Sequence, residues 1–208
     1  MAQGASYVVQ YRRKRADRTN YKSRLEMLKS RKQRLVVRAT NKRILVQMIQ
    51  YAEEGDQVTV TTDSNELAKY GWKYSGNSLP ASYLVGFLCA KKGIATGNTD
   101  AVLDIGLQAS IKGSRLYAAL KGALDGGLTM PAGEKVFPDP KRLSGAHIAE
   151  YASKLGKEEY EKKFSGYIKA GIDPKNISKS FEEVKKKIEE SVHNKKKTEE
   201  PVHKKSKK

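Results

Sequence analysis

The sequence predicts an α/β fold: a small mixed sheet in β-β-β-α-β-α order with packed helices, a basic N-terminal arm and appended C-terminal helices. Three observations carry this expectation. Three short β-rich runs follow one another between residues 35 and 62, separated by polar turns. Two apolar helical stretches then bracket a fourth compact β run, the pattern of a strand reached by a helical crossover. Finally, the positive charge gathers at the ends and leaves the middle nearly neutral. Residues 1–43 hold 14 Lys/Arg against 2 acids, residues 44–180 hold 17 against 15, and residues 181–208 hold 10 against 6, for nets of +12, +2 and +4. A neutral centre folds without self-repulsion, whereas the first block sets up a field that attracts polyanions.

A chain of 208 residues suits one domain with appendages, since a single core saturates near about 250 residues. The expected divisions are a basic arm over residues 1–33, an α/β core over 34–130, a helical extension over 131–193 and a disordered Lys-rich tail over 194–208. The arm has few aliphatic residues, although Leu25, Met27 and Leu28 could line a short helix. A segment so charged is expected to order on an anionic surface.

The runs 35–39 and 44–51, joined by Thr40-Asn41-Lys42-Arg43, read as a hairpin. Gly55-Asp56 turns the chain into a third strand, residues 57–62, whose alternating Val and Thr put one face on a core. Asp63 and Glu66 have capping-box spacing for a short helical turn. A buried helix follows from Pro80 to Lys92, with Leu84, Val85, Leu88 and Cys89 on one face and Gly93 as its stop. Residues 101–105 form the compact fourth strand. From Ser114 a second helix carries Leu116, Ala119, Leu120, Ala123 and Leu124 at helical spacing, ending at Gly126-Gly127. Beyond Phe137-Pro138-Asp139-Pro140, three helical segments are expected near 145–155, 158–169 and 180–192. The last has a Ser180/Glu183 capping box and an apolar stripe of Phe181, Val184, Ile188 and Val192 suited to docking on a neighbour.

The densest candidate site is Tyr11-Arg12-Arg13-Lys14-Arg15 with Arg18, Tyr21, Lys22 and Arg24, where cations alternate with aromatic rings. Arg pairs bidentately with phosphate and stacks on bases, and Tyr offers a flat face to an unpaired base. The plain alternative is a solvated tail or an import-type signal. A second basic group, Arg31, Lys32, Arg34, Arg38, Lys42 and Arg43, spans the first strand and its turn, so part of the charge rests on rigid backbone. Tyr70-Gly71-Trp72-Lys73-Tyr74 could stack bases in a loop, or could as well be a core Trp with flanking tyrosines. Lys112-Gly113-Ser114-Arg115 opens a helix whose amides could grip a phosphate.

Catalytic chemistry finds little support. His147, His193 and His203 are isolated, and the single Cys89 sits in an apolar run as an inert core thiol, implying a reducing compartment. Asp100, Asp104, Glu158 and Glu159 lie beside no P-loop, GxGxxG, HExxH or GxSxG motif. No enzyme activity, metal, cofactor or small-molecule substrate is therefore expected. The longest mainly apolar run, residues 79–90, is 12 residues, short of the roughly 20 needed to cross a bilayer. A cytoplasmic protein with no membrane partner is the expectation.

Several segments together resemble a known family. Tyr11-Arg12-Arg13-Lys14-Arg15 followed by Arg18-Thr19-Asn20-Tyr21 and Arg24, then Arg34-Leu35-Val36-Val37-Arg38-Ala39-Thr40-Asn41-Lys42, look like the arm and first hairpin of the 5S rRNA-binding large-subunit ribosomal proteins, numbered eighteen in bacteria and archaea and five in eukaryotes. Tyr70-Gly71-Trp72-Lys73, Leu103-Asp104-Ile105-Gly106-Leu107, Ala118-Ala119-Leu120-Lys121-Gly122-Ala123-Leu124-Asp125-Gly126-Gly127-Leu128 and Phe164-Ser165-Gly166-Tyr167-Ile168-Lys169 are similar to it as well. The likeness covers residues 7–188 and leans toward the archaeal branch. It implies a mixed α/β domain that holds 5S rRNA in the central protuberance, touches large-subunit rRNA and lies near another 5S-binding ribosomal protein. It also implies that the matched arm residues, Thr19 included, and the hairpin residues, Asn41 included, meet rRNA. The alternatives are a free-standing RNA chaperone or assembly factor, and an RNA-modifying enzyme. Residues 194–208 match nothing in the family and inherit no role.

Overall fold

A computed structural model describes residues 4–198 of the protein. Four strands, β1 (Gln33–Ala39), β2 (Ile44–Gln50), β3 (Gln57–Asp63) and β4 (Ala101–Asp104), form one sheet in the order β3-β2-β1-β4. The first three are antiparallel in sequence, and β4 runs parallel to β1. The predicted mixed sheet is therefore present. Its turn at residues 40–43 closes on a Thr40 N–H donating to Arg43 O at 2.9 Å, with the Thr40 hydroxyl also donating there at 2.8 Å.

Strand alternation decides the two faces. Leu35 and Val37 of β1, with Ile44, Val46 and Met48 of β2, are fully buried against helices. Arg34, Val36 and Arg38 point to the opposite face. The crossover is helix α3 (Leu79–Ala95), capped by the Ser78 hydroxyl and carrying Pro80 in its first turn. It runs past Gly93, the expected stop. Gly93 serves close packing instead: a Cβ there would overlap Met48 Sδ of the sheet. Helix α4 (Arg115–Asp125) crosses α3 just as closely, since a Cβ at Gly86 would overlap the Ala119 carbonyl and one at Gly122 the Tyr83 carbonyl. Glu66 also departs from expectation. Asp63 caps a short 3-10 turn, Ser64–Tyr70, but Glu66 reaches Lys92 Nζ at 2.5 Å rather than closing a capping box.

Five helices follow: α5 (Pro140–Leu143), α6 (Ala146–Lys154), α7 (Lys157–Lys163), α8 (Ser165–Lys169) and α9 (Ile177–Thr198). The expected segment 158–169 is split at Phe164, whose φ of -105° and ψ of 21° leave the helical region. The last helix begins three residues before Ser180, after a turn capped by Asp173, so Ser180 and Glu183 lie inside it. Its stripe does not await a neighbour: Phe181, Val184 and Ile188 are buried in the same hydrophobic cluster as α3, and the Phe181 ring lies 5.3 Å from that of Tyr83. Each such side chain contributes about 1.5–3 kcal/mol of burial. The tail was expected to lose structure from residue 194, but α9 continues to Thr198, because extending a docked helix is far easier than nucleating one. The remainder of that tail, 199–208, lies outside the described residues.

Candidate nucleic-acid interface

Two short helices organise the arm, α1 (Arg12–Arg15) and α2 (Tyr21–Lys29). Asn20 caps α2 by accepting from Ser23 N at 3.2 Å. Asp17 turns the chain between them at a φ of 46°, a left-handed conformation that Asp tolerates. Arg12, Arg13, Lys14, Arg15 and Arg18 are all exposed. Arg13 Nε donates to Thr19 Oγ1 at 2.8 Å, and the exposed Tyr11 ring lies 5.0 Å from Tyr21. Among the described residues no carboxylate pairs with Arg12, Arg13, Lys14, Arg15, Arg18, Lys22 or Arg31. These cations keep their full field.

The sheet cations behave differently. Arg34, expected at the surface, is buried, with its side chain only 5% exposed. Its Nη1 meets Asp104 Oδ2 at 3.2 Å and its Nη2 lies 2.6 Å from Asp56 Oδ2, too far out of line for a hydrogen bond, while Nε has no partner. Alternation places Arg34 on the face that the arm covers. Arg24 of α2 closes that cover by pairing with the other oxygen of Asp56 at 2.9 Å. Asp104 also holds Arg38, whose Nη2 lies 3.1 Å from Oδ1 and whose Nη1 donates to the Asp104 carbonyl at 2.8 Å. The Gly106 N–H completes the set at 2.8 Å. Asp104, which beside no catalytic motif reads as an ordinary carboxylate, and Asp56, which reads as a turn residue, are the acids that hold this face together. The available signal was alternation in β4, which puts Asp104 on the face of Arg34 and directly across from Val36.

The hairpin turn is braced from the loop before α3 and from the start of α4. Asn77 Nδ2 donates to Asn41 O at 2.6 Å, and Arg115 Nη1 donates to Thr40 O at 3.0 Å. Gln108 pairs with both backbone groups of Ala39, accepting at 3.1 Å and donating at 2.6 Å, in the manner of an added strand residue. Asn41, Lys42 and Arg43 remain exposed on this fixed turn, Arg43 with a pairing to Asp63 at 3.1 Å, and Lys32 lies 3.9 Å from Asp100. Arg115 thus spends its reach on backbone while Lys112 is exposed.

The aromatic loop is inside rather than open for stacking. Trp72 and Tyr74 are buried with ring centroids 5.2 Å apart, and the Tyr74 hydroxyl donates to Asp173 O at 2.9 Å. Of that loop, Lys73 is exposed and Tyr70 half-buried. The reason is the return of the C-terminal helices, which lay Tyr167 5.8 Å from Tyr74. Burial also pushes the Cys89 thiol up to about 12, keeping it protonated and unreactive at neutral pH.

Between α2 and the far face of the sheet lies a cleft of about 720 Å³, floored by Val36 and Ile49 and walled by Arg13, Arg18, Arg24, Arg34 and Arg38. Among the described residues, no group of His, Cys, Asp or Glu is gathered to hold a metal ion, and no helix is long and apolar enough to cross a membrane.

A small α/β core that presents unpaired cations on an arm and a braced hairpin defines a basic scaffold rather than a catalyst. The family model for ribosomal large subunit proteins 60S L5 and 50S L18 matches residues 5–102 and 92–133. The chain is 50% identical over 189 residues to large ribosomal subunit protein uL18 of Korarchaeum cryptofilum, covering 90% of this chain and 97% of the relative. Identity is 47% to the uL18 protein of Methanobrevibacter smithii, over 92% of this chain and 99% of the relative. The Thermofilum pendens protein is 46% identical, over 92% and 100% respectively. The chain belongs to the L18/L5e family of large-subunit ribosomal proteins, in its archaeal form. It is a structural constituent of the large ribosomal subunit and not an enzyme.

Proposed function

We infer that this protein binds 5S rRNA and helps attach it to large-subunit rRNA in the central protuberance, beside another 5S-binding ribosomal protein. The observation that carries this reading is the division of cations. Seven basic side chains of the arm lack any carboxylate partner among the described residues, while Asn41 and Lys42 project from a turn that Asn77, Gln108 and Arg115 hold still. Arm cations supply counterion release and hence affinity, and a rigid turn sets docking register. Tyr11, Thr19, Tyr21, Lys73 and Lys112 extend the same interface. Arg34 and Tyr74 act from inside, by holding the sheet face and the aromatic loop in shape.

The test is a titration of purified 5S rRNA at two salt concentrations, competed by an unrelated structured RNA of equal length. Selective binding that survives the higher salt is the expected result. Equal binding of both RNAs, lost together with salt, would leave only the arm acting and would favour an RNA chaperone role.

A further inference from the structure

The cleft between α2 and the sheet has a charge gradient that a simple phosphate-binding groove would lack. At its inner end, Arg24, Arg34 and Arg38 are matched by the carboxylates of Asp56 and Asp104. At its mouth, Arg13 and Arg18 have no carboxylate partner among the described residues. The floor between them is the apolar pair Val36 and Ile49. Arg34 anchors the inner end: it is only 4% exposed, and its hydrogen bond there is to Asp104.

We propose that this cleft seats one unpaired nucleotide of the bound RNA with its base inward and its phosphate at the mouth. The inference rests on the RNA-binding reading above and adds the place and orientation of a single nucleotide. Asp56 and Asp104 offset most of the charge of the three guanidinium groups around them, so this end draws a phosphate less than the mouth does, while carboxylate oxygens accept hydrogen bonds from the amino and imino groups that line a base edge. Val36 and Ile49 give the base an apolar surface, and the unpaired guanidinium groups of Arg13 and Arg18 take the phosphate. A volume near 720 Å³ falls within the roughly 300–1,000 Å³ of ordinary ligand clefts.

The experiment uses the full chain and two short single-stranded RNAs, identical except that one carries an abasic site at its centre. Binding is followed by anisotropy at fixed ionic strength, with inorganic phosphate as a competitor balanced by chloride. The intact strand should bind about tenfold more tightly than the abasic one, as a buried base implies, and phosphate should leave that ratio unchanged. Ser23→Met, on the exposed side of α2 and lining the cleft, fills the space without adding a ring or a charge and should bring the ratio toward one. Tyr151→Ala, which removes an exposed ring of α6 that does not line the cleft, should leave it alone. Equal binding of the two strands in the unaltered protein overturns the proposal, as does a ratio that survives Ser23→Met, a ratio lost with Tyr151→Ala, or one abolished by phosphate. Selective binding of 5S rRNA, measured alongside, separates failure of the cleft from failure of the wider reading: selectivity with equal strands refutes the cleft alone.

Discussion

Arg12 to Arg15 of the arm and Arg34 to Arg38 of the sheet belong to one basic block in the sequence, yet they do opposite work. These arm cations stand in solvent without a carboxylate partner among the described residues, and their charge is available to an incoming polyanion. Arg34 and Arg38 are neutralised by Asp104 and Asp56, acids that arrive from β4 and from the turn before β3. One set projects a field and the other ties the sheet face to the arm above it. The lesson is that a guanidinium's role follows from which carboxylates the fold brings within reach, and net charge along the chain does not reveal it.

The contrast breaks most severely at the buried acid. Asp104→Ala leaves Arg34 and Arg38 without their shared partner and should cost about 3–5 kcal/mol of stability, read as a lowered urea midpoint. A variant as stable as the parent would show that Arg34 is not held by this pair. Next in size is Gly86→Ala, which forces α3 against the Ala119 carbonyl and should cost about 1–3 kcal/mol without changing the charge of either region. Thermal unfolding measures it, and an unshifted transition would mean that the helices separate freely.

Arg12→Ala combined with Arg13→Ala should act in the other direction, weakening rRNA binding while leaving stability within about 0.5 kcal/mol. The slope of log affinity against log salt should fall by about 2. An unchanged slope would sink the idea that these two residues neutralise phosphates. The smallest effect is alkaline. The folded protein holds the Cys89 thiol protonated far above its ordinary 9.0, and burial with the Asp125 contact raises the Tyr83 phenol as well. Both contributions are fully present below the unfolded values, so stability should decline as pH rises above about 9, by up to roughly 1.4 kcal/mol per pH unit for each group. Urea midpoints at pH values on either side check this, and Tyr83→Phe should shallow the decline.

Much of the fold was legible because it depends on local pattern. Alternating Val and Thr in β3, the Leu and Ala spacing of α4 and the polar turn at residues 40–43 each report their own geometry through side-chain period. What escaped was decided by distant partners. Gly93 reads as a helix stop until Met48 is seen against it, and Tyr70 to Tyr74 reads equally as a stacking loop or as a core Trp with flanking tyrosines until Tyr167 packing beside Tyr74 decides for the core. The stripe on α9 announced that it needed a partner, but nothing local said the partner was α3 of the same chain. Family likeness reached the arm and hairpin as a whole without separating Arg34 from its exposed neighbours.

Residue order alone established the basic arm, the four strands, the principal helices and the inert Cys89, because charge density, period and turn chemistry act over a few neighbouring residues. Long-range packing settled which cations remain available, which acids hold the others, and where the arm and sheet enclose a cleft. Those outcomes depend on residues as far apart as Arg34 and Asp104 meeting within a few ångströms in a place where water no longer screens them.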